Sequence, residues 1–464
     1  MKFFKPIIFI ITIAGCLTSY AQDFNSSYFV EGSLYRHQAN PALADSTSYA
    51  SIPGLGSLHI KSLGNFGVRD VIRDNPLYPN KSDKRKTTFL NPYLNNQLGG
   101  FKELNRFGAF ADINLLSVGF KAMGGYNNIS IRARAMAYGR IPKTLLEMAV
   151  NTGNEHYDID DVNAMGRAYT ELSWGHARKI NDKWRVGAKF KLLFGIADAT
   201  ADISGLKADL TPDGTWRLNG DMQSHLSMKG ARYSTKRKDY KTVEKGSYEY
   251  VDGVDVDGSG IGGFGLALDL GGEYTINQDW KVSAALLDLG FIRWSNDMYA
   301  TNKEKEFIFE GFHDTSIREA GGNTPKDQSH KYGDQLSDFY HLNNLGDAGS
   351  RTTSVGATLN VGVEYQLPMY RILKFGLLSS TRFQQPFTWT EARLCANIAP
   401  LKWLDGGVNF AVNTFTTSAG WILNIHPRGF TFFVGMDHLI GKTTKEWVPL
   451  SSNASFAMGM NITW

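Results

Sequence analysis

Short segments in which apolar and polar residues alternate recur along the chain and continue to its last residue. Residues 456–464 show the pattern clearly, because Phe456, Met458, Met460, Ile462 and Trp464 all fall on one face of an extended segment. Small or polar residues occupy the other face. A period of two is that of a β-strand, since successive side chains point to opposite faces. The chain is therefore predicted to be all-β.

About fourteen strands are predicted from this alternation. They cover residues 54–64, 107–121, 127–139, 165–178, 183–199, 261–275, 279–293, 353–366, 371–384, 388–399, 404–414, 417–426, 429–438 and 453–464. In the second strand the apolar face changes side at Leu115 and Leu116, which predicts a β-bulge there.

Alternation alone fits either a soluble β-sandwich or a membrane barrel whose apolar face meets lipid. The chain has no run of 18 apolar residues and a mean hydropathy of −0.27, which exclude a bundle of membrane-spanning helices. Glycine contributes 48 of 464 residues and aromatic residues 12%. Together with the export signal described next, this composition favours the membrane barrel.

The first 21 residues resemble a secretory signal peptide. Lys2 and Lys5 precede an apolar run, and Ser19-Tyr20-Ala21 has the small residues of a cleavage site. A lipoprotein signal ending at Cys16 is the alternative. Cleavage after Ala21 removes two lysines and no acids, so the net charge falls from +4 to +2 and nucleic acid is not expected as a partner.

The connections between the predicted strands alternate in length. Short turns at 181–182, 277–279, 367–369 and 426–428 contrast with long excursions at 65–106, 140–164, 200–260 and 295–352. Outer-membrane barrels have short periplasmic turns and longer extracellular loops. We therefore expect a transmembrane antiparallel barrel in residues 51–464, located in the outer membrane with both termini in the periplasm. The alternating segment 456–464 also resembles the C-terminal strand that such barrels present to their assembly machinery.

If the apolar faces meet lipid, charged side chains of both signs must face the lumen. They are Arg132, Arg134, Glu171, Lys189, Lys191, Asp269, Glu273, Glu364, Lys374, Arg382, Glu391 and Arg393. Lys189 and Lys191 are expected beside the strand that carries Asp269 and Glu273. A network of ion pairs that stiffens the barrel is the main interpretation, and a charged path for a polar solute is the alternative.

Other motifs give weaker predictions. Asp252, Asp255 and Asp257 resemble half of a calcium loop, but Leu266 stands where its last ligand, a glutamate, is required. Basic residues between 229 and 245 and between 81 and 86 suit the phosphates of lipopolysaccharide. Residues 142–151 predict a short helix on the barrel rim. No catalytic motif or Cys/His metal cluster is present, so neither an enzyme nor a cofactor is predicted.

Residues 28–44 carry a family resemblance. Asn40-Pro41-Ala42 resembles an element of the long-chain fatty-acid transporter superfamily, and the whole chain resembles an uncharacterised outer-membrane family of Bacteroidetes that shares the stretch from Tyr35 to Pro41. The resemblance implies an N-terminal hatch in residues 22–50 that occupies the lumen, with the hatch residues Tyr35, Arg36, His37, Asn40, Pro41 and Ala42. It also implies a lateral opening in the barrel wall.

The function implied by this resemblance is passive transport of small hydrophobic molecules across the outer membrane. The alternative is a structural or accessory partner in an outer-membrane secretion or assembly complex. The expected partners are outer-membrane lipid and lipopolysaccharide, the barrel-assembly machinery and other outer-membrane proteins.

Overall fold

The structure is a computed structural model that describes residues 24–44, 47–67, 70, 73–80, 82, 87–88, 98–150, 156–210, 215–242, 245–315, 323–440 and 453–464. The predicted signal peptide and the basic stretch at 81–86 lie almost entirely outside these residues. Within the described residues, no helix is long and apolar enough to cross a membrane.

The described secondary structure is mainly β. In chain order, the strands are β1 (Tyr49–Ser51), β2 (Ser57–Gly64), β3 (Arg73–Asp74), β4 (Thr87–Thr88), β5 (Leu104–Ala122), β6 (Gly125–Pro142), β7 (His156–Ile159), β8 (Val162–Lys179), β9 (Trp184–Leu210), β10 (Trp216–Met228), β11 (Ala231–Asp239), β12 (Ser247–Val256), β13 (Gly263–Thr275), β14 (Trp280–Trp294), β15 (Met298–Asn302), β16 (Glu306–Phe309), β17 (Leu342–Asp347), β18 (Arg351–Ser354), β19 (Ala357–Gln366), β20 (Leu373–Phe383), β21 (Trp389–Leu401), β22 (Leu404–Asn413), β23 (Thr417–Ile425), β24 (Phe430–Met436) and β25 (Ala454–Thr463). The helices are α1 (Arg36–Ala39), α2 (Lys143–Val150) and α3 (Pro325–Tyr340), with 3-10 turns at Asn25–Ser27 and Pro41–Leu43.

Fourteen of the strands form a closed antiparallel barrel. Its order is β2, β5, β6, β8, β9, β13, β14, β19, β20, β21, β22, β23, β24 and β25, and β25 pairs with β2 to close the ring. The predicted all-β barrel of fourteen strands is thus confirmed. Closure leaves no unpaired sheet edge, which is what allows a sheet to cross a bilayer.

The exposed and buried faces of the strands show which side of the barrel is apolar. On β9, Phe190 and Leu192 are 46% and 37% exposed, whereas Lys189 and Lys191 are 1% and 2% exposed. The other barrel strands also carry large apolar side chains outside, and many of their inward side chains are polar. A soluble β-protein has the opposite arrangement, so the outer surface fits a lipid environment.

Strand irregularities are concentrated at the start of the barrel. The predicted bulge in the 107–121 strand is confirmed, because the register of β5 against β6 shifts between Asn114 and Leu116. The first strand is interrupted at Ile52–Gly56, where Pro53 cannot donate to the ladder, and β1 and β2 on either side both pair with β5 and β25.

All the long connections lie at one end of the barrel, hereafter the loop end, together with short connections at 384–388 and 414–416, and the opposite end, hereafter the turn end, carries only short turns. The turn end carries the two-residue connection at Met123-Gly124 and the C-terminal residue Trp464. The loop end carries the connections 65–103, 143–161, 211–262 and 295–356. This arrangement is the one expected of an outer-membrane barrel.

The three excursions predicted at 140–164, 200–260 and 295–352 contain more secondary structure than the sequence suggested. Strand β9 continues to Leu210 and pairs with β7 and β10, which in turn pairs with β15 and β16, while β11 and β12 form a separate hairpin. Helix α3 begins at a capping box in which Thr324 and Asp327 bond each other's backbone N–H groups. We call residues 143–161, 200–260 and 295–350, as far as described, the cap.

The cap has its own apolar core outside the barrel. Its buried members are Leu145, Tyr157, Ile159, Ile203, Leu206, Ala208, Met222, Phe307 and Phe339, and Val162 at the start of β8 packs with them. Leu145 comes from α2, which corresponds to the helix predicted at 142–151. The cap is therefore a packed unit and not a set of solvated loops.

Candidate functional site: the barrel lumen

The lumen is filled by three successive layers of side chains. Residues 24–44, which we call the hatch, lie nearest the turn end. A charged layer of buried acids and bases lies above it, and a cluster of aromatic and aliphatic side chains, the aromatic layer, lies nearest the loop end. We describe the layers in that order.

Polar contacts tie the hatch to the barrel wall along its whole length. Asp437 accepts hydrogen bonds from the backbone N–H groups of Asn25 and Ser26 at 3.1 and 2.7 Å. Further along, Gly32 N–H donates to Asp405 at 2.9 Å. The Tyr35 hydroxyl donates to Asn461 at 2.7 Å.

Asn40 fixes the centre of the hatch. Its side-chain oxygen accepts from the Ala42 N–H at 3.0 Å, and its amide nitrogen lies 3.3 Å from the Gly272 carbonyl of the wall. Asn40 is fully buried and Pro41 starts the 3-10 turn that follows. The same residue therefore caps a turn within the hatch and attaches that turn to β13.

Wall glycines provide the space in which the hatch sits. A Cβ atom on Gly187 would lie 2.4 Å from the Pro41 carbonyl carbon, and one on Gly271 would lie 2.1 Å from the Asn40 side-chain oxygen. A Cβ on Gly376 would meet the Phe29 ring at 2.3 Å. Any other residue at these positions would overlap the hatch, so part of the high glycine content is explained by this close approach.

The remaining predicted hatch residues lie in the same layer. Tyr35 and His37 are 5% and 1% exposed. Arg36 donates from Nε to the Tyr28 carbonyl at 2.8 Å. His37 contacts the Tyr49 hydroxyl at 3.2 Å, and its carbonyl accepts from the Lys189 ammonium group at 3.3 Å.

Asp288 is the centre of the charged layer. Its carboxylate accepts from Arg134 at 2.9 and 3.0 Å and from Lys191 at 2.6 Å, and Arg382 lies at 3.8 Å. Its backbone adopts φ +57°, next to a register shift between β13 and β14. A β-bulge therefore turns this carboxylate into the lumen, at the modest strain of a left-handed non-glycine residue.

Most of the charges predicted on β6, β8, β9 and β13 lie around Asp288, which was not itself predicted. Lys191 lies 2.8 Å from Asp269, and Arg134 lies 3.3 Å from Glu171. Arg132 pairs with Asp112 on β5. Lys189 is aligned with Asp269 in the β9–β13 register, so the two strands do bring opposite charges together.

A second buried group joins the β21 charges to the hatch. Arg393 lies 2.7 Å from Glu391 and 3.7 Å from Asp437. Lys61 lies 3.9 Å from Asp437, which also binds the start of the hatch. This group therefore links β2, β21 and the segment after β24 to the hatch.

Glu364 and Glu273 lie apart from the charged layer, near the turn end. Glu364 lies 3.5 Å from Lys281 and 3.8 Å from Lys374, and both lysines also pair with Glu31 of the hatch. Burial would raise the pKa of Glu31, but Lys374 and Lys281 outweigh it and lower that pKa to about 2. Glu273 is only partly buried and lies opposite Arg185.

Sequence reasoning missed several lumenal charges. Lys61 follows the period of two in β2 and could have been found from it. Asp112 precedes the β5 bulge, and Asp288 lies in a bulge, where the alternation no longer reports the side-chain direction. Asp437 follows the end of β24.

Apolar side chains fill the loop end of the lumen. The members are Leu63, Phe110, Met136, Tyr138, Met165, Tyr169, Leu193, Ala267, Ile292, Trp294, Val355, Phe387, Trp389 and Phe415. Phe387, from the loop between β20 and β21, stacks on Tyr138 with ring centroids 4.9 Å apart and planes at 15°. Phe110 meets Tyr138 edge-on at 5.0 Å.

The calcium prediction is not supported by the geometry of the cap. Asp252 pairs with Lys236, and Asp257 lies 2.5 Å from Arg232, both across the β11–β12 hairpin. Asp255 lies 4.0 Å from the same arginine. Among the described residues, no three His, Cys, Asp or Glu side chains are grouped so that they could hold a metal ion.

One arrangement superficially resembles a hydrolase triad. Ser418 contacts His438 Nδ1, and His438 Nε2 lies 3.4 Å from Glu391. His438 is completely buried, however, and Glu391 is already held by Arg393. These contacts are explained by the packing of β21, β23 and β24, and they give no support for catalysis.

The chain is similar to one sequence family and to several solved barrel structures. A family model described as a family of unknown function (DUF5723) matches residues 41–437. Similar solved structures include the toluene transporter TbuX of Ralstonia pickettii, with 11% identity, a TM-score of 0.40 and 93% coverage of each chain. The toluene transporter TodX of Pseudomonas putida has 8% identity and a TM-score of 0.40, covering 96% of this chain and 94% of that one.

The translocator domain of the autotransporter NalP from Neisseria meningitidis is also similar, with 8% identity, a TM-score of 0.30 and coverage of 89% and 88%. These likenesses concern barrel architecture alone and say nothing about what this chain carries. No curated protein matches the chain.

Proposed function

This chain belongs to the family of unknown function DUF5723, and we propose that it takes up small hydrophobic molecules passively across the outer membrane. The observation that carries the proposal is the aromatic layer. Lumen-facing positions of water-filled barrels are polar, yet here Phe110, Tyr138, Phe387 and Trp389 occupy them at the loop end. An apolar solute that enters from that end gains contacts with these rings as it leaves water.

The layers below determine how such a molecule could leave. The charged layer and the hatch block a straight path, because both are buried and joined to the wall by ion pairs and hydrogen bonds. The interruption of the first strand at Ile52–Gly56 lies beside the β5 bulge, with the Gly54 N–H bonded to the Leu115 carbonyl at 3.1 Å. A small cavity lined by Tyr35, His59 and Asp112, among others, lies inside this part of the wall. We place the exit to the membrane here.

Uptake of a fluorescent hydrophobic probe, N-phenylnaphthylamine, into intact cells tests the proposal, because lipopolysaccharide excludes this probe. Cells that make the protein should take it up faster than cells that do not. Tyr138→Asp puts a charge in the aromatic layer and should abolish the gain. Tyr370→Asp is the matched control, since Tyr370 is 60% exposed in a turn. Equal uptake by cells that make the protein, with the folded barrel verified in their outer membrane, and by cells that do not would refute the transport function.

The cap supports a second candidate, an accessory role in an outer-membrane complex. Three large apolar residues of the cap are exposed: Trp216 to 44%, Phe312 to 49% and Leu345 to 60% of their surface. Trp216 and Phe312 both pack beside Phe309 and so form one continuous apolar patch, which is typical of binding surfaces. Purification in a mild detergent should then recover a protein at a one-to-one ratio, and Phe312→Asp should release it. Recovery of the barrel alone would exclude this role.

The other expected partners stay predictions. The basic hairpin that was expected to meet lipopolysaccharide is β11–β12, where Arg232 and Lys236 are already paired with acids. Five further basic residues of this stretch, Lys229, Arg237, Lys238, Lys241 and Lys245, lie in or beside the hairpin. In the C-terminal strand, Ile462 and Trp464 are 55% and 69% exposed on the lipid side.

A further inference from the structure

Two arginines lie side by side at the loop end of the aromatic layer. Arg106 on β5 and Arg140 on β6 are directly opposite in the strand register and share the lumenal face. Among the described residues, neither forms an ion pair, although Arg106 donates from Nη1 to the Thr388 carbonyl at 3.3 Å. Within the part of the chain that the structure describes, the Nε atom of Arg140 is buried and has no hydrogen-bond partner. Like charges directly opposite destabilise a sheet, so this pair needs an explanation.

Arg106 adjoins a pocket whose walls are mostly aromatic, and Arg140 lies directly across the strand register from Arg106. Arg106 lines it together with Leu63, Phe107, Phe110, Tyr138, Phe387, Trp389 and Phe415. The cavity that remains has a volume of only about 10 Å³, which holds roughly one water molecule. The pocket is therefore filled by the protein's own rings in this conformation.

Phe387 is the ring that fills it. The residue comes from the short connection 384–388, and it is 4% exposed because its ring points into the lumen and stacks on Tyr138. The other rings of the pocket come from barrel strands or, in the case of Phe415, from the next short connection at the loop end. Another flat ring could stack on this face of Tyr138 only in place of Phe387.

We propose that this pocket binds small aromatic carboxylates. The ligand ring takes the place of Phe387 on Tyr138, and its carboxylate lies between Arg106 and Arg140. Guanidinium groups bind carboxylates through paired, charge-assisted hydrogen bonds, so one anion relieves the repulsion between both arginines. A neutral ring would gain the stacking and leave the two charges uncompensated. This assignment rests on the proposed uptake function and names its substrate class.

Binding to the full-length protein in detergent tests the assignment, with benzoate, benzyl alcohol and hexanoate measured by calorimetry. Benzoate should bind at least tenfold more tightly than the other two, because only benzoate has both the ring and the anion. Phe387→Ala should raise benzoate affinity at least tenfold, since it removes the competing ring. Arg140→Gln should reduce benzoate affinity to that of benzyl alcohol. Arg178→Gln, at an exposed position near the turn end, is the control and should change nothing.

The outcomes separate this inference from the proposed function. Equal affinities for benzoate and benzyl alcohol, unaffected by Arg140→Gln, would refute the carboxylate site and leave hydrophobic uptake standing. Hexanoate binding as tight as that of benzoate would refute the aromatic part. If neither aromatic compound binds the wild type or Phe387→Ala, and both proteins keep the heat-modifiable migration of a folded barrel, the aromatic layer is no binding site and the proposed function fails as well.

Discussion

Replacing Gly187 with alanine tests whether the hatch is held by close contact with the wall. A Cβ atom at this position would lie 2.4 Å from the Pro41 carbonyl carbon and 2.6 Å from the Ala42 nitrogen. Ordinary contacts begin near 3.4 Å, so the overlap is about 1 Å. The atoms overlapped are backbone atoms, which cannot move aside by changing a rotamer. Gly187→Ala should therefore push the segment Asn40–Ala42 away from β9.

The cost follows from known effects of overpacking. Forcing extra atoms into a packed interior costs about 1–3 kcal/mol. If this cost applies to the binding of the hatch to the barrel wall, the fraction of molecules with a detached hatch rises roughly 5- to 150-fold, because 1.4 kcal/mol corresponds to a factor of ten. Hydrogen exchange of the Asn40 and Leu43 amides should speed up by the same factor. Thermal unfolding of the barrel should change little, because the strand ladder is preserved.

Gly272→Ala is the matched control. Gly272 lies next to Gly271 on the same strand, and no atom lies within 4 Å of a Cβ built there. Both substitutions reduce the freedom of the unfolded chain equally, so their difference isolates the clash. If hatch amides exchange equally fast in both variants, the close contact at Gly187 does not hold the hatch in place, and the prediction is wrong.

Three further predictions concern the charged layer and the cap. Asp288→Asn should destabilise the barrel by about 3–5 kcal/mol in urea titrations of the detergent-solubilised protein, because it removes one of the two acids that Arg134 and Lys191 share and leaves excess positive charge buried. An unchanged midpoint would show that the layer tolerates this excess charge. Phe339→Ala should lower the stability of the cap core by about 3–5 kcal/mol. Amide hydrogen exchange should then become faster in α3 but not in β20–β23. An equal increase in exchange across the chain would contradict a separate cap core. Burial raises the pKa of Asp334, but hydrogen bonds from the N–H groups of Lys241 and Thr242 at 2.9 and 2.8 Å outweigh it, so the pKa is lowered. A lowered pKa means that the stabilising contribution is complete above about pH 4 and is lost as the pH falls through the folded value. The distribution of distances between spin labels at positions 238 and 331 should accordingly broaden only under acid conditions. Asp334→Asn should remove this pH dependence. If the broadening in acid persists in the variant, a group other than Asp334 causes it.

The strands were predictable because their signal is local. In β9, Phe190 and Leu192 alternate with Lys189 and Lys191, and that alternation alone states that one face is apolar and the other is not. Once the apolar face is assigned to lipid, the residues that face the lumen can be identified from local sequence alone. The strand bounds differed from prediction mainly at the loop end, where β9 continues to Leu210 to pair with cap strands.

The cap was not predictable for the opposite reason. Its core joins Leu145, Leu206 and Phe339, which are far apart in sequence and come from segments with few apolar residues. On β9, Ile203 and Leu206 are three residues apart, so the period of two breaks there and the cap part of the strand shows no continuous alternation. The excursions consequently looked like polar loops.

The sequence by itself determined the class of the molecule, since a period of two over fourteen segments permits a closed sheet with an apolar exterior and a charged interior. Only the tertiary structure decided how that interior is filled. The bulge that turns Asp288 inwards, the glycines against which Asn40 and Pro41 rest and the stacking of Phe387 on Tyr138 all depend on atoms distant in sequence. Alternation tells which way a side chain points, whereas the partner that it meets is set by how the strands are arranged around the ring.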